Sequence, residues 1–531
     1  MEQEQHQTGL SVLGKDHIKV LFIRPPYHLW PIINESDNFL MPLSFPCLSA
    51  YLKQRMNGIE VVVYDCLPLK IGYKTLFEMI KFEQPDVVGV GDSLPYIHEG
   101  LKVLSLAKEF NPHLITIAGG HFHSHLPRYT MSHYKQVDFI VRYEGEQVLV
   151  DLLEALRSGQ NLALVPSIVY RQGSDIIETE PGPVIESLDT LPLPDYDIMP
   201  IHKYSPFGKL WPRAITIQGN RGCPHFCSYC SWTALEGEHK MDKGEMRLIP
   251  RLRAKSVSKV LAEIDVLYYK YGIRYLFWVD GTWNIDTKWL DELCSAIISK
   301  GYKLGWWAFV RADMLLEQEK CGVLEKMVRA GFRHALFGGE RHSEQDMKLI
   351  GKTGLNGAEL LQACHILKQK YPQVFRQSTF VTGIRTETKQ SLQQLGAYSR
   401  SAHIDFAAYH PLMPYPGTPL WDEAQKKGWI EEHDFSKYDM FHPVMPSETL
   451  SREEISTGTQ ALYQAFIMKQ PWPYLRGLFS AFQIRRRLHW WFLFAVSRVL
   501  LRDMVLSLLG RKQFEGFAAI NKLWKPSWYD S

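Results

Sequence analysis

The chain has 531 residues, 45% hydrophobic and 22% charged, an ordinary globular composition that argues against long disorder. Its 60 Lys and Arg against 57 Asp and Glu leave a net charge of +3, so charge gives no reason to expect a nucleic-acid partner. Aromatic residues reach 12%, with 15 Trp, which fits either large cores or a large apolar, planar ligand.

The first 157 residues alternate short apolar runs with amphipathic stretches. Strand patterns occur at Lys19 to Ile23, Glu60 to Tyr64, Asp86 to Gly91, Leu114 to Ala118 and Phe139 to Val141. Helix patterns lie between and after them, at Ile97 to Phe110 and Val148 to Arg157. This order predicts a doubly wound (Rossmann-like) α/β domain over 1–157, with ligands at the carboxyl ends of its strands. Gly89, Gly91 and Ser93 fall at one such end, and Gly119 and Gly120 at the next. They read either as ordinary turns or as a close backbone approach to a bulky ligand.

Residues 158–205 carry Pro166, Pro181, Pro183, Pro192, Pro194 and Pro200 with little periodicity, and read as a linker. A second α/β series follows over 206–430. Its strand patterns are Ala214 to Gln218, Tyr275 to Val279, Leu304 to Val310, His334 to Phe337, Gln377 to Thr382 and Phe406 to His410. Six βα units predict a partial (β/α)6 barrel. Residues 431–531 are helical in pattern and rich in Trp, Phe and Arg. Basic residues beside aromatics at Arg485 to Phe494 fit either a cap on the barrel or a peripheral membrane contact. The Leu488 to Leu509 stretch is too interrupted by Arg498, Arg502 and Asp503 to read as a span.

Eight Cys are too few for a disulfide scaffold. Three of them cluster at Cys223, Cys227 and Cys230, just after the first strand of the second series. That pattern indicates one metal site in a reducing, cytoplasmic compartment. Three thiolates hold three corners of a [4Fe–4S] cluster and leave one iron open; zinc, with His225 or a distant fourth ligand, is the alternative.

C-x3-C-x2-C with Tyr229 before the last Cys, opening a βα barrel, resembles the radical S-adenosylmethionine (SAM) superfamily. In that family the open iron chelates SAM, whose reductive cleavage gives a 5′-deoxyadenosyl radical. Phe337-Gly338-Gly339-Glu340 resembles the family's SAM-contacting carboxylate motif. Thr382 to Glu387 and Pro414 to Pro419 resemble two later motifs. Asp280-Gly281 replaces the usual acidic pair. Arg311 is placed to meet a carboxylate of SAM or substrate, and His342 and His410 read as ligands, acids or structural residues.

A doubly wound domain ahead of such a barrel resembles the cobalamin-binding subclass. The resemblance implies cobalamin contacts at Ser93, Leu94, Gly119, Gly120 and Glu144, the last within Arg142-Tyr-Glu-Gly-Glu146. The Asp-x-His-x-x-Gly motif is missing at Arg24-Pro-Pro-Tyr-His28, so cobalamin is expected base-off with no histidine on cobalt. The implied activity is C-methylation of a large hydrophobic substrate, of bacteriochlorophyllide type. A cyclase or hydroxylase, as in anaerobic magnesium-protoporphyrin ester cyclisation, is the alternative, and a non-catalytic cobalamin or iron–sulfur sensor is the alternative of another class. A flavodoxin- or ferredoxin-type electron donor is implied. Trp278, Trp283, Trp306 and Trp307 are candidates for an aromatic barrel mouth, or for packing against the outer helices.

Overall fold

The computed structural model describes residues 13–27, 40–92, 94–204, 213–243, 245–516, 519, 522 and 524–531. The first sheet contains β1 (Ile18–Arg24), β2 (Ile59–Asp65), β3 (Val87–Asp92), β4 (Ile115–Gly120), β5 (Phe139–Val141), β6 (Ile168–Gln172) and β7 (Asp175–Glu178), in the order β2-β1-β3-β4-β5-β6-β7. The first five strands are parallel. Val20 and Phe22 of β1 pack with Phe45, Leu52 and Leu152 on one side. Leu21 and Ile23 pack with Leu76, Ile80 and Leu104 on the other. A strand covered on both faces has no polar side to present, which is why these runs are continuously apolar. Each buried Val, Leu or Ile contributes about 1.5–3 kcal/mol.

The segment read as a linker extends this sheet. β6 pairs antiparallel with β5, and β7 with β6. The turn between them is Gly173-Ser174, with Gly173 at φ +62°, a two-residue hairpin connection. The remainder of the segment straps the two halves together. Tyr204 donates to Asp65 at 2.7 Å, and Tyr196 to Glu263 at 2.6 Å.

The second sheet is built from β8 (Ala214–Ile217), β13 (Tyr275–Trp278), β14 (Gly305–Val310), β15 (Phe332–Glu340), β16 (Phe375–Thr382) and β17 (Phe406–Pro411). They lie in sequence order, all parallel, with β8 and β17 at the edges, as in a partial barrel. Between β8 and β13 come β9 (Asn220–Gly222), β10 (Glu238–Asp242), β11 (Glu245–Ile249) and β12 (Leu252–Ala254). They form two small antiparallel pairs, β9 with β12 and β10 with β11.

Strand alternation decides where the tryptophans go. Trp278 and Trp306 point outward with Leu276, Ala308 and Val310, into the core shared with Leu290, Leu324 and Met327. Trp283 lies against Trp306 and Phe332 in the same core. These three do not line a mouth. Trp307 alone of the four faces the interior, beside Phe277, Phe309 and His334.

The last hundred residues are helical as expected, with helices at Arg452–Met468, Pro471–Leu478 and Gln483–Leu508. The last helix caps the amino-terminal end of the barrel. Ile484, Leu488 and Trp491 pack with Ala214, Tyr275, Phe277, Phe375 and Phe406, which sit early in their strands. Arg485 donates to Asp405 at the same end. The opposite, carboxyl end of the barrel faces the first domain.

Candidate cofactor site

The cysteine loop begins where β9 ends and stops at a short helix, Ser231–Glu236, with Cys230 as its N-cap. Two later segments hold it. Ser228 N–H donates to Ile350 O at 3.1 Å, and Leu420 N–H to Ser228 O at 2.9 Å. Thr282 Oγ1 lies 3.5 Å from Cys223 Sγ. Burial pushes the Cys227 thiol up to about 12, and Lys352 opposes it. Burial also raises Cys230, against N–H groups of Thr233 and Trp232 that favour its thiolate.

Among the described residues no three His, Cys, Asp or Glu side chains converge on a single-ion position. The three thiols nevertheless sense one another electrostatically. Three soft thiolate donors suit an iron–sulfur cluster. This donor set fits a [4Fe–4S] cluster with one iron left to another ligand.

Beside the loop stands Glu340, at the carboxyl end of β15 and at φ +30°. Lys352 Nζ donates to its carboxylate at 2.9 Å, and Thr379 Oγ1 at 3.3 Å. Burial, and after it the Glu340 carboxylate, push up the phenol of Tyr229, which lies between two of the cysteines. The glycines before it are required by close approach. A Cβ on Gly338 would lie 2.3 Å from Lys352 Nζ, and one on Gly339 2.4 Å from Ser378 Oγ. Glu387 takes two hydrogen bonds from buried Arg341, the residue after Glu340. The Thr382 to Glu387 motif thus fixes the chain next to the carboxylate.

Asp280 does not face the cluster; its Oδ1 accepts N–H groups of Gly219 and Asn220 and ties the β8–β9 turn. Burial raises its carboxyl to about 8. A Cβ on Gly281 would lie 3.7 Å from that of Cys223, an ordinary van der Waals contact.

Across the domain boundary, Gly119 and Gly120 end β4, Gly120 at φ +96°. Leu94 opens a tight turn after β3. Ser93 and His28 lie outside the described residues. The strand order places the reversal of winding between β1 and β3, where sheets of this kind bind ligands. His121, next after Gly120, has two buried ring nitrogens without a hydrogen-bond partner. Burial holds it neutral, with a pKa near 4, against a smaller pull from the Pro416 backbone. A buried polar edge that meets little besides the Pro416 backbone, beside a glycine pair, fits a ligand rich in amide groups, as the corrin side chains are.

The two carboxyl ends meet. His121 lies edge-on to Tyr415 at 6.1 Å, and a Cβ on Gly417 would lie 2.2 Å from His125. Tyr415 is itself within electrostatic reach of Cys230. The Pro414 to Pro419 motif therefore sits between the glycine turn of the first domain and the cysteine loop of the second.

Comparison with known proteins agrees with this geometry. Residues 29–153 match the B12 binding domain family. An uncharacterised methyltransferase of Pyrococcus horikoshii is 26% identical over 432 residues, 81% of this chain and 88% of its own. The anaerobic magnesium-protoporphyrin IX monomethyl ester cyclase of Rubrivivax gelatinosus is 27% identical over 467 residues, 85% of this chain and 78% of its own. The cobalamin-dependent SAM radical enzyme OxsB, with aqua-cobalamin and SAM bound, superposes with TM-score 0.66 at 16% identity, over 94% of this chain and 74% of that one. The radical SAM methyltransferase TsrM of Kitasatospora setae, with cobalamin and a [4Fe–4S] cluster bound, gives 0.65 at 15%, over 91% and 100%.

The first domain matches the B12 binding domain family, and the chain has the fold of cobalamin-dependent radical SAM enzymes. The cysteine loop could hold a [4Fe–4S] cluster, the Glu340 edge SAM, and the glycine turns of the first domain cobalamin.

Two site expectations take a different form. Glu144 is engaged by arginines of the second domain. It accepts from Arg221 at 3.0 Å, Arg253 at 2.9 Å and Ile185 N–H at 2.7 Å. Burial works against its charge, but the two guanidiniums outweigh that and hold its carboxyl below the usual range. Arg311 lies at the end of β14 near His225, but it is already paired bidentately with Asp313, at 3.0 and 2.7 Å. His410 Nδ1 rests 3.2 Å from Met440 O. His342 has a buried Nδ1 with no hydrogen-bond partner and a ring near Tyr398. Lys352 was not legible in advance. It lies twelve residues past Glu340 between two glycines, Gly351 and Gly354, that flank its turn, and only the fold brings it back.

Proposed function

We infer that the chain is a C-methyltransferase acting on a large, flat, hydrophobic substrate of tetrapyrrole type. The observation that supports this is an aromatic ladder on the inner face of the barrel. Trp232, just after Cys230, lies edge-on to Phe309 at 6.4 Å, and Phe309 to Trp307 at 4.6 Å. All three are part-exposed, unlike the outward tryptophans. Such faces stack on planar apolar molecules. The curated relative named above for its substrate acts on a magnesium porphyrin ester.

Bound together, the cofactors supply a carbon radical and a transferable methyl group. The protein's part is placement. Glu340 and the two glycines form the edge on which SAM is held, Arg311 a guanidinium close by, and the aromatic ladder a dry wall for the substrate. Gly119, Gly120 and His121 hold the corrin opposite. The compartment in keeping with three reactive thiols is a reducing cytoplasm.

Anaerobic turnover with bacteriochlorophyllide and, separately, magnesium-protoporphyrin monomethyl ester tests the reading. S-adenosylhomocysteine and 5′-deoxyadenosine forming together with a methylated pigment is the expected result. 5′-Deoxyadenosine alone with a cyclised product would replace methylation by the cyclase alternative, which the similarity to the Rubrivivax enzyme favours.

A further inference from the structure

The last helix, Gln483–Leu508, is 26 residues long and apolar on two opposite faces. Leu488, Phe492, Ala495 and Val499 are buried against the body of the protein. At about 100° per residue, Trp490, Phe494, Leu501, Met504, Val505 and Leu508 fall together on the opposite side, and all six are exposed. A surface helix normally presents charged residues there. The helix before it adds to the same surface. Trp490 donates its indole N–H to Leu478 O at 2.9 Å, which sets it next to Phe479, 79% exposed. Thirteen of the 23 large apolar side chains exposed among the described residues lie between Met468 and Phe514. At its far end the stripe runs into a groove of about 860 Å³ that Leu500, Leu501, Met504 and Phe514 line together with polar Gln460 and Gln464.

Charge identifies the occupant. Residues 469–516 contain nine Lys and Arg and two Asp and Glu. Both acids are engaged locally, Asp503 with Lys512 and Glu515 with Lys512 and Lys522. Arg476, Arg486 and Arg511 are exposed among the apolar side chains. A second copy seated on this face would set arginine against arginine. An anionic surface would not. No described helix is long and apolar enough to cross a membrane, so the face is suited to lying on one. Aromatics and leucines among arginines are the composition of a helix held at the headgroup level.

We propose that the outer face of helices Pro471–Leu478 and Gln483–Leu508 docks the enzyme on an anionic lipid bilayer. The barrel's carboxyl end and both cofactor sites point away from this face, because the last helix caps the amino-terminal end.

Co-sedimentation of the full-length holoenzyme with vesicles tests it. One set is phosphatidylcholine, the other phosphatidylcholine mixed with phosphatidylglycerol. Binding to the anionic vesicles is expected, weakening as salt is raised. Trp490→Ser with Phe494→Ser should abolish it. Arg476→Ala with Arg486→Ala should reduce the affinity by about 25-fold, near fivefold for each charge. All four side chains are exposed or face solvent, so cluster iron and bound cobalamin should be unchanged in both variants. Absence of vesicle binding would overturn the proposal, as would binding that neither variant alters. A concentration-dependent dimer that Trp490→Ser with Phe494→Ser dissociates, without vesicle binding, would assign the face to a second copy instead.

Discussion

Arg221, two residues before Cys223, donates to Glu144 of the first domain at 3.0 Å. Its other terminal nitrogen is bonded to Glu146. Gly222 N–H, the link between Arg221 and the cysteine, donates to Glu236 at 2.6 Å. The cysteine loop is therefore tied, through one guanidinium, to the domain that matches the B12 binding family. Both carboxylates and the guanidinium are close to nine-tenths buried.

Removing that guanidinium leaves two buried carboxylates short of a partner. Arg221→Met should cost about 3–5 kcal/mol, seen as a lower urea midpoint. Arg253 still neutralises Glu144, which favours the lower end. A variant as stable as the parent would show that the pair holds nothing together.

Cys223→Ala, Cys227→Ala and Cys230→Ala should each lose the cluster, since each deletes one of three protein ligands. Anaerobic iron and sulfide analysis reads this directly. Cys294→Ala, Cys321→Ala and Cys364→Ala should keep full iron, because Cys294 and Cys364 are buried in helices remote in sequence from the loop and Cys321 is exposed. Full iron in any of the first three would remove that residue from the ligand set.

Glu340→Gln should weaken SAM binding while leaving cluster iron intact. A charge-assisted hydrogen bond is worth about 1.5–3 kcal/mol, or about 10–150-fold in affinity. Lys352→Met should also weaken it, by leaving the Glu340 carboxylate without its buried counter-charge. Equilibrium dialysis under anaerobic conditions measures both. Unchanged affinity in Glu340→Gln would make that carboxylate a support for Tyr229 and Lys352 only.

Gly120→Val should abolish cobalamin binding and spare the cluster. At φ +96° a β-branched residue is strained, and its side chain would fill the turn at the end of β4. The bound Co(II) form should show no nitrogen superhyperfine splitting, and His28→Ala should leave its spectrum unchanged. Splitting that disappears in His28→Ala would establish a histidine on the cobalt.

Much of this arrangement was legible in the chain because its signals are local. Buried parallel strands announce themselves as apolar runs, and three cysteines within eight residues need no partner from elsewhere. The sequence pattern confines β15 to His334 to Phe337, because Gly338 and Gly339 look like a strand end. They stay in the sheet through Glu340, where their missing side chains admit Lys352 and Ser378. The hairpin of β6 and β7 was hidden among prolines, although Gly173-Ser174 marks its turn. What the pattern could not give was pairing at a distance. Nothing near Glu144 in sequence indicates that Arg221 and Arg253 will claim it. Nor does a run such as Trp306-Trp307 say which ring faces the helices; that depends on strand register.

The central claim is that the cysteine loop and the carboxylate of Glu340 form one SAM-cleaving centre beside a cobalamin site. The most direct measurement is 5′-deoxyadenosine formation by the reconstituted holoenzyme after anaerobic reduction with SAM present. The account predicts 5′-deoxyadenosine from the parent, none from Cys227→Ala, and a reduced yield at limiting SAM from Glu340→Gln. A fully loaded parent enzyme that leaves SAM intact under reduction, or a Cys227→Ala variant that still cleaves it, would contradict the account.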